Sequence, residues 1–370
     1  MTGTDVRADT AAPTAASPGR GARRRELRIL GRRIDLQVLV VTVVVLVVVV
    51  FVALLGIVAG SSSLTIPDAL RTLLGAGTGA EQLIVFELRL PRVAGALVVG
   101  CALGIAGALT QTFARNPLAT PDIIGVTSGA AFGAVAVIVF SGGVYAVGAG
   151  TLSLGVPLAA TLGALITAAI VYGLSWKGGV DSFRLILIGI GATATLMGLI
   201  RWFIARAQLV EAATASQWLA GSLSGISWTS VVPVVVVLLI VTPIAMTQTF
   251  ALEIGRLGDD MSTGLGVALQ RHRIIVIACA VVLAAAAVSA AGPIEFIAFV
   301  APQIARRIAG TGRPPLLLSG FMGALVVVGA DLIARALLPS PVPVGIITAI
   351  VGAPYLIWLL TRRKERETLR

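Results

Sequence analysis

Bulky apolar residues are few in the first 35 positions, and at Leu36 the pattern changes to an apolar run that reaches Gly60 with only Gln37 and Thr42 as polar interruptions. A helix that crosses the hydrocarbon core of a bilayer needs about 20 mostly apolar residues, so this run predicts a membrane span. Further apolar runs, separated by short polar breaks, predict spans near 90–113, 122–140, 151–174, 184–204, 230–250, 274–292, 294–309, 316–338 and 343–361. The chain therefore reads as an all-α integral membrane protein of about ten transmembrane helices. The break at Gly292 and Pro293 is the least marked. A cleaved signal peptide is the rival reading of the first run, but signal cores span about 7–15 apolar residues and this one is longer and followed by others like it.

Composition agrees with lipid as the main solvent. Of 370 residues, 57% are hydrophobic and 12% charged, with a mean hydropathy of +1.00, whereas soluble domains are about half apolar and a quarter charged. Residues 1–35, rich in Ala, Thr, Pro, Gly and Arg, have too little apolar surface to offset the entropy of ordering and read as a disordered basic tail. Residues 36–363 read as the membrane domain and 364–370 as a short C-terminal tail.

A formal charge of +11 is compatible with polyanion binding, but the placement of the charges points elsewhere. With the N-terminus inside, 22 of the 28 Lys and Arg residues fall on the cytoplasmic side, as the positive-inside rule demands. Arg71, Arg89, Arg92, Arg201, Arg206 and Arg335 fall outside or near outer span ends. Both termini are then cytoplasmic. Gly125, Gly129 and Gly133, and the pair Gly100 and Gly104, have the spacing that lets membrane helices pack closely.

Several chemistries lack their residues. Cys101 and Cys279 lie in separate apolar runs and make no metal-ligand pattern, and the single histidine, His272, stands in a basic loop. A phosphate-binding loop needs Gly-Lys-Ser/Thr, and neither Lys177 nor Lys364 sits in one. If ATP drives this protein, a separate subunit must bind it. Buried acids suited to ion coupling are few, chiefly Glu295 and Asp331, and Asp331 can pair along its helix with Arg335.

The segment RLPRVAGALVVGCALGIAGALTQTFARNPLATPDIIGVTSGAAFGA from Arg89, with GPIEFIAFVAPQIARRIAG from Gly292 and GADLIARALLPSPVPVGIITAIVGAPYLIWLL from Gly329, resembles the iron-siderophore, haem and vitamin B12 permease family (FecCD-type) of type II ABC importers. The resemblance covers about residues 36–363. It implies a homodimer or heterodimer of ten-helix subunits in the bacterial cytoplasmic membrane, with two cytoplasmic ATPase subunits and an extracytoplasmic binding protein. The chain itself would bind no cofactor or metal and catalyse no reaction.

The resemblance also implies site residues. Arg89, Arg92 and Arg335 match the arginines that receive acidic residues of the binding protein. EIGRLGDDMSTGLGVALQRHR from Glu253 resembles the segment that docks on the ATPase, which assigns coupling to Leu257, Gly258, Asp259, Asp260, Gly264, Leu265 and Gly266. In that loop Asp259 and Asp260 suit a helix start, and Gly264 and Gly266 suit a sharp turn. The fifth span is expected to line the pathway, with Thr193, Thr195, Met197 and Arg201 as candidates; a packing face is the alternative. Two departures stand out: Gln303 where family members usually have His, and Glu295 where they have a small residue.

GGVDSFRLILIGIGATATLMGLI from Gly178 and VAPQIARRIAGTGR resemble the branch that carries ferric catecholate siderophores of the enterobactin type more than the vitamin B12 branch. The expected function is import of such a chelate, with haem or vitamin B12 as alternatives. An ion-coupled carrier is the rival from another class.

Overall fold

The structure is a computed structural model that describes residues 26–29, 32–59, 65–140, 155–177, 182–249, 264, 268–336, 338 and 342–368. Two short strands, β1 (Glu26–Ile29) and β2 (Arg32–Asp35), pair antiparallel with Glu26 opposite Asp35. This hairpin is a departure from the featureless tail expected up to residue 35.

Helix α1 (Leu36–Val58) carries twelve valines among its 23 residues. Such a β-branched run is a poor helix former in water, but in lipid every backbone N–H and C=O must be satisfied within the segment. Only Val45, Val49, Ala53, Gly56 and Ile57 are buried, a single stripe at helical spacing. The rest of α1 presents Val, Leu and Phe outward, and only 17% of its most apolar window is covered by protein.

After α1 comes α2 (Ile66–Leu73), a short helix begun by a capping box in which the Thr65 hydroxyl accepts from the Asp68 N–H and the Asp68 carboxylate accepts from the Thr65 N–H. Those Thr65 hydrogen bonds hold the Asp68 carboxyl below its ordinary value of 3.8. A carboxylate with a depressed folded-state value stabilises the fold above its unfolded value and loses that contribution as pH falls through the lower one. Hydrogen exchange of the α2 amides is thus expected to be insensitive to pH above about 4, once intrinsic rates are divided out, and to lose protection in more acidic buffer. Thr65→Ala should remove that acid dependence.

Helix α3 (Gly79–Gln82) continues through a π-helical turn (Leu83–Arg89) into α4 (Leu90–Phe113). The continuous rod Gly79–Phe113 is the inverse of α1, with 78% of its most apolar window buried. It is the hub of the bundle, packing on α9 (Trp228–Thr247), α10 (Leu269–Ala291), α11 (Ile297–Ala309) and α12 (Leu316–Ala336). Small residues make that possible. A Cβ at Gly100 would lie 2.7 Å from the Gly323 carbonyl carbon, and one at Gly104 would lie 2.9 Å from that of Ser319.

A second tight crossing joins α5 (Val126–Phe140) to α6 (Gly155–Ser175), where Gly129 and Gly133 meet Thr167 and Ala159. Gly125 stands apart from that stripe, as the left-handed residue (φ +78°) that ends the 3-10 turn Pro121–Ile124 and starts α5. Next come α7 (Ser182–Arg206) and α8 (Leu209–Leu219), and, at the end of the chain, α13 (Val344–Thr368). That last helix runs on through the RRKERET sequence, which is composed largely of good helix formers.

All ten predicted segments carry helices. Seven of those helices are long and apolar enough to cross a membrane by length and composition. The others are shorter: α5 has 15 residues, α11 has 13, and the apolar part of α13 is Val344–Leu359. The weak break at Gly292 and Pro293 is real. Gly292 (φ +70°) ends α10 and Phe296 (φ +66°) precedes α11, with Glu295 exposed on the turn between them.

Candidate functional site

Three arginines, two at the start of α4 and one from α12 far along the sequence, meet at the end of the bundle where α1 stops. Asp331 of α12, only 1% exposed, is the centre. Its Oδ1 accepts from Arg92 Nε and pairs with Arg92 Nη2, both at 2.9 Å, and its Oδ2 pairs with Arg335 Nη2 at 2.9 Å. Arg335 also donates to the carbonyls of Gly56 and Ala59 at 3.0 Å, and Arg89 Nη1 donates to those of Ile57 and Val58 at 2.8 Å. The last carbonyls of a helix have no partner within it and carry the negative end of its dipole. Arg89 and Arg335 supply what α1 lacks there.

Sequence reasoning brought Arg89, Arg92 and Arg335 to one end of the molecule, and the structure places them together. Their guanidiniums are engaged within the chain. Arg89 is 7% exposed and turned onto α1. The side chains of Arg92 and Arg335 are 18% and 12% exposed, so that of Arg92 is the more accessible of these two. The expected Asp331–Arg335 pair exists, and Arg92 is a second partner that spacing along one helix could not reveal.

The α7 candidates divide in the same way. Thr193 Oγ1 lies 3.2 Å from Ser128 Oγ on α5, and Met197 packs against the main hydrophobic core. Both are half-buried and make contacts on the packing side of α7. Arg201 and Thr195 are exposed, together with Gly191, Ala194 and Gly198. Thr195 and Arg201 were candidates from the sequence, whereas Gly191, Ala194 and Gly198 beside them on this open stripe were not, although their i, i+3, i+7 spacing was legible. A charge facing hydrocarbon is costly, so the stripe suits water or another protein surface better than lipid.

At the opposite end, the Gln303 amide, 1% exposed, donates to Gln111 Oε1 and to the Pro117 carbonyl, while Gln111 donates to the Ala298 and Phe299 carbonyls. These bonds tie α11 to the end of α4 and to the turn that follows, where Arg115 adopts a left-handed φ of +50°. Glutamine thus serves as a structural bridge where histidine was the family expectation. Gln303→Leu would strand the buried Gln111 Oε1, at about 1–3 kcal/mol, and release the half-buried Pro117 carbonyl. A lower melting temperature in detergent, with faster protease cleavage after Arg115, is the expected result.

Of the coupling residues, Leu257, Gly258, Asp259, Asp260, Leu265 and Gly266 lie outside the described residues, and Gly264 is exposed and helical. The flanks of that segment are anchored. His272 Nδ1 is 2.5 Å from Gln248 Oε1, and Arg313 Nη1 donates to the Thr249 carbonyl at 3.0 Å. Both anchors sit at the end of the bundle opposite the Asp331 cluster.

Comparison with known proteins supplies what the geometry lacks. The FecCD transport family matches residues 43–362. The ferric enterobactin transport system permease protein FepG of Escherichia coli (strain K12) is 39% identical over 84% of this chain and 92% of its own length. The iron(3+)-hydroxamate import system permease protein FhuG of Bacillus subtilis (strain 168) is 38% identical over 79% of this chain and 88% of its own. The cobalamin import system permease protein BtuC of Halobacterium salinarum (strain ATCC 700922 / JCM 11081 / NRC-1) is 37% identical over 77% and 75%. Among solved structures, a metal-chelate type ABC transporter in an inward-facing conformation superposes with a TM-score of 0.77 at 28% identity, covering 87% of this chain and 98% of that one.

Proposed function

The chain belongs to the FecCD transport family of ABC importer permeases, and we propose that it carries a ferric siderophore of the catecholate type across the cytoplasmic membrane. The similarity to the enterobactin permease FepG over 84% of the chain carries the choice of substrate class. Permeases of this kind are not themselves enzymes; ATP hydrolysis belongs to a separate subunit. Vitamin B12 is the second reading, favoured by the 37% identity to the cobalamin permease.

In the proposed arrangement ten spans place both termini in the cytoplasm and the Asp331 cluster outside. Two permease subunits, identical or sister chains, enclose the pathway between their α7 stripes, with Arg201 facing a bulky anionic chelate. A loaded binding protein docks an acidic side chain against Arg92, beside Arg335. ATP binding to two cytoplasmic subunits moves the segment Leu257–Gly266, and the permeases shift from outward to inward opening. Each ligand biases an equilibrium between states that the bundle already allows. Iron stays enclosed by its chelator, so the path needs no metal ligands of its own.

A rival ion-coupled mechanism requires an intramembrane carboxylate free to exchange its ion. Asp331, the deeply buried acid of the spans, is instead held by two guanidiniums. The proposal is tested by uptake of radioactive ferric catecholate, ferric hydroxamate and cobalamin in cells lacking the chain. Loss of catecholate uptake alone, restored by wild type and not by Gly266→Arg, is expected. Loss of cobalamin uptake alone would replace the substrate assignment.

A further inference from the structure

At the end of the bundle opposite the Asp331 cluster, α11 and α13 come together around a cluster to which the proposed transport cycle assigns no role. Arg306 and Arg307 form the last turn of α11, which closes on Gly310 (φ +63°). The Arg307 guanidinium carbon lies 4.6 Å from the centre of the Trp358 ring on α13, and the Tyr355 ring is 5.7 Å from that of Trp358. The floor is apolar, built from Phe299, Val300 and Leu359, with Ile304 and Leu356 packed against it. The Tyr355 hydroxyl is shielded from solvent and has no hydrogen-bond partner among the described residues.

In the ten-span arrangement proposed above, these groups fall where a bilayer changes from hydrocarbon to water. Trp358 is 40% exposed just before the apolar part of α13 ends, and the next residues include Arg362, Arg363, Lys364 and Arg366 against Glu365 and Glu367. Ile308 and Ile357, 48% and 63% exposed, continue the apolar surface toward the membrane interior. Aromatic rings of this kind sit at the headgroup level, and basic pockets between membrane helices bind anionic lipid headgroups. Arginine recognises phosphate through a planar, multidentate fork. The Trp358 face holds that plane in place, and the Tyr355 ring packs against Trp358, with its hydroxyl a donor that a displaced side chain would uncover.

We propose that Arg306, Arg307, Tyr355 and Trp358 form a site for the phosphate headgroup of an anionic phospholipid, with its acyl chain along Ile308 and Ile357. The site requires only that α11 and α13 end at a membrane surface, so it stands or falls separately from the identity of the transported chelate.

The test is native mass spectrometry of the purified full chain after exchange into micelles containing phosphatidylglycerol, phosphatidylcholine or an equal mixture. Wild type is expected to retain phosphatidylglycerol at least fivefold over phosphatidylcholine, and Arg307→Gln and Trp358→Leu to reduce that preference to about twofold or less. Arg71→Gln, an exposed arginine at the other end, serves as the control and should behave as wild type. Millimolar inorganic phosphate should leave the lipid adduct in place, because a free anion lacks the acyl contact. Equal retention of both lipids by wild type, unchanged preference in both variants, or displacement by inorganic phosphate would overturn the proposal. So would an ATPase subunit found covering this face in the assembled transporter.

Discussion

Gly107→Val is expected to yield no monodisperse protein in detergent. A Cβ on Gly107 would lie 2.6 Å from the Ala298 carbonyl carbon and 2.8 Å from its Cα, and closer still to the carbonyl oxygen. These are backbone atoms of the turn of α11 that also accepts the Gln111 hydrogen bonds, so no side-chain rotation can relieve the contact. Overpacking a core costs about 1–3 kcal/mol when side chains can adjust, and here α4 and α11 would have to separate. Gly173→Val on α6 is the matched control, because nothing lies within 4 Å of its Cβ position. Size-exclusion profiles of tagged protein should show the control unchanged and Gly107→Val aggregated or absent.

Asp331→Ala is expected to be the most destabilising change at the opposite end of the bundle. It would leave Arg92 and Arg335 beside Arg89 with no carboxylate among them. Removing one partner of a buried ion pair typically costs about 3–5 kcal/mol, whereas exchanging both for apolar residues can be nearly neutral. Asp331→Leu combined with Arg92→Met should therefore recover a good part of the loss. Recovery should stop short of wild type, because Arg335 would still lack its carboxylate while capping α1. Melting temperatures in detergent for wild type, the single variant and the double variant read out this order. A double variant no more stable than Asp331→Ala would mean that the cluster acts through something other than its charge balance.

The sequence made the helices legible because lipid imposes a simple rule on it. A run of about 20 apolar residues must become a helix, and the first span, expected from Leu36, is found at Leu36–Val58 even though valine dominates it. The tight crossings were legible as GxxxG spacing at Gly100 and Gly104 and at Gly129 and Gly133. The direction in which a polar side chain points was not. Arg89 could be assigned to the outer end, but whether its guanidinium met water or the α1 carbonyls depended on a contact 32 residues away in sequence. Thr193 and Thr195 differ by two positions on one helix, and only the placement of α5 decides which of them is packed and which is open. Spacing showed that Asp331 could reach Arg335, while its pairing with Arg92, 239 residues away in sequence, needed the tertiary fold.

The family match spans residues 43–362 and the substrate class rests on similarity, so energy coupling is the most direct test of the central claim. Spheroplasts carrying this chain with its ATPase and binding protein would be loaded with radioactive ferric catecholate siderophore. Uptake would be compared after the proton gradient is collapsed with ATP maintained, and after ATP is depleted with the gradient intact. An ABC importer permease is expected to keep most of its uptake in the first condition and lose it in the second. Uptake that follows the proton gradient and survives ATP depletion would contradict the account.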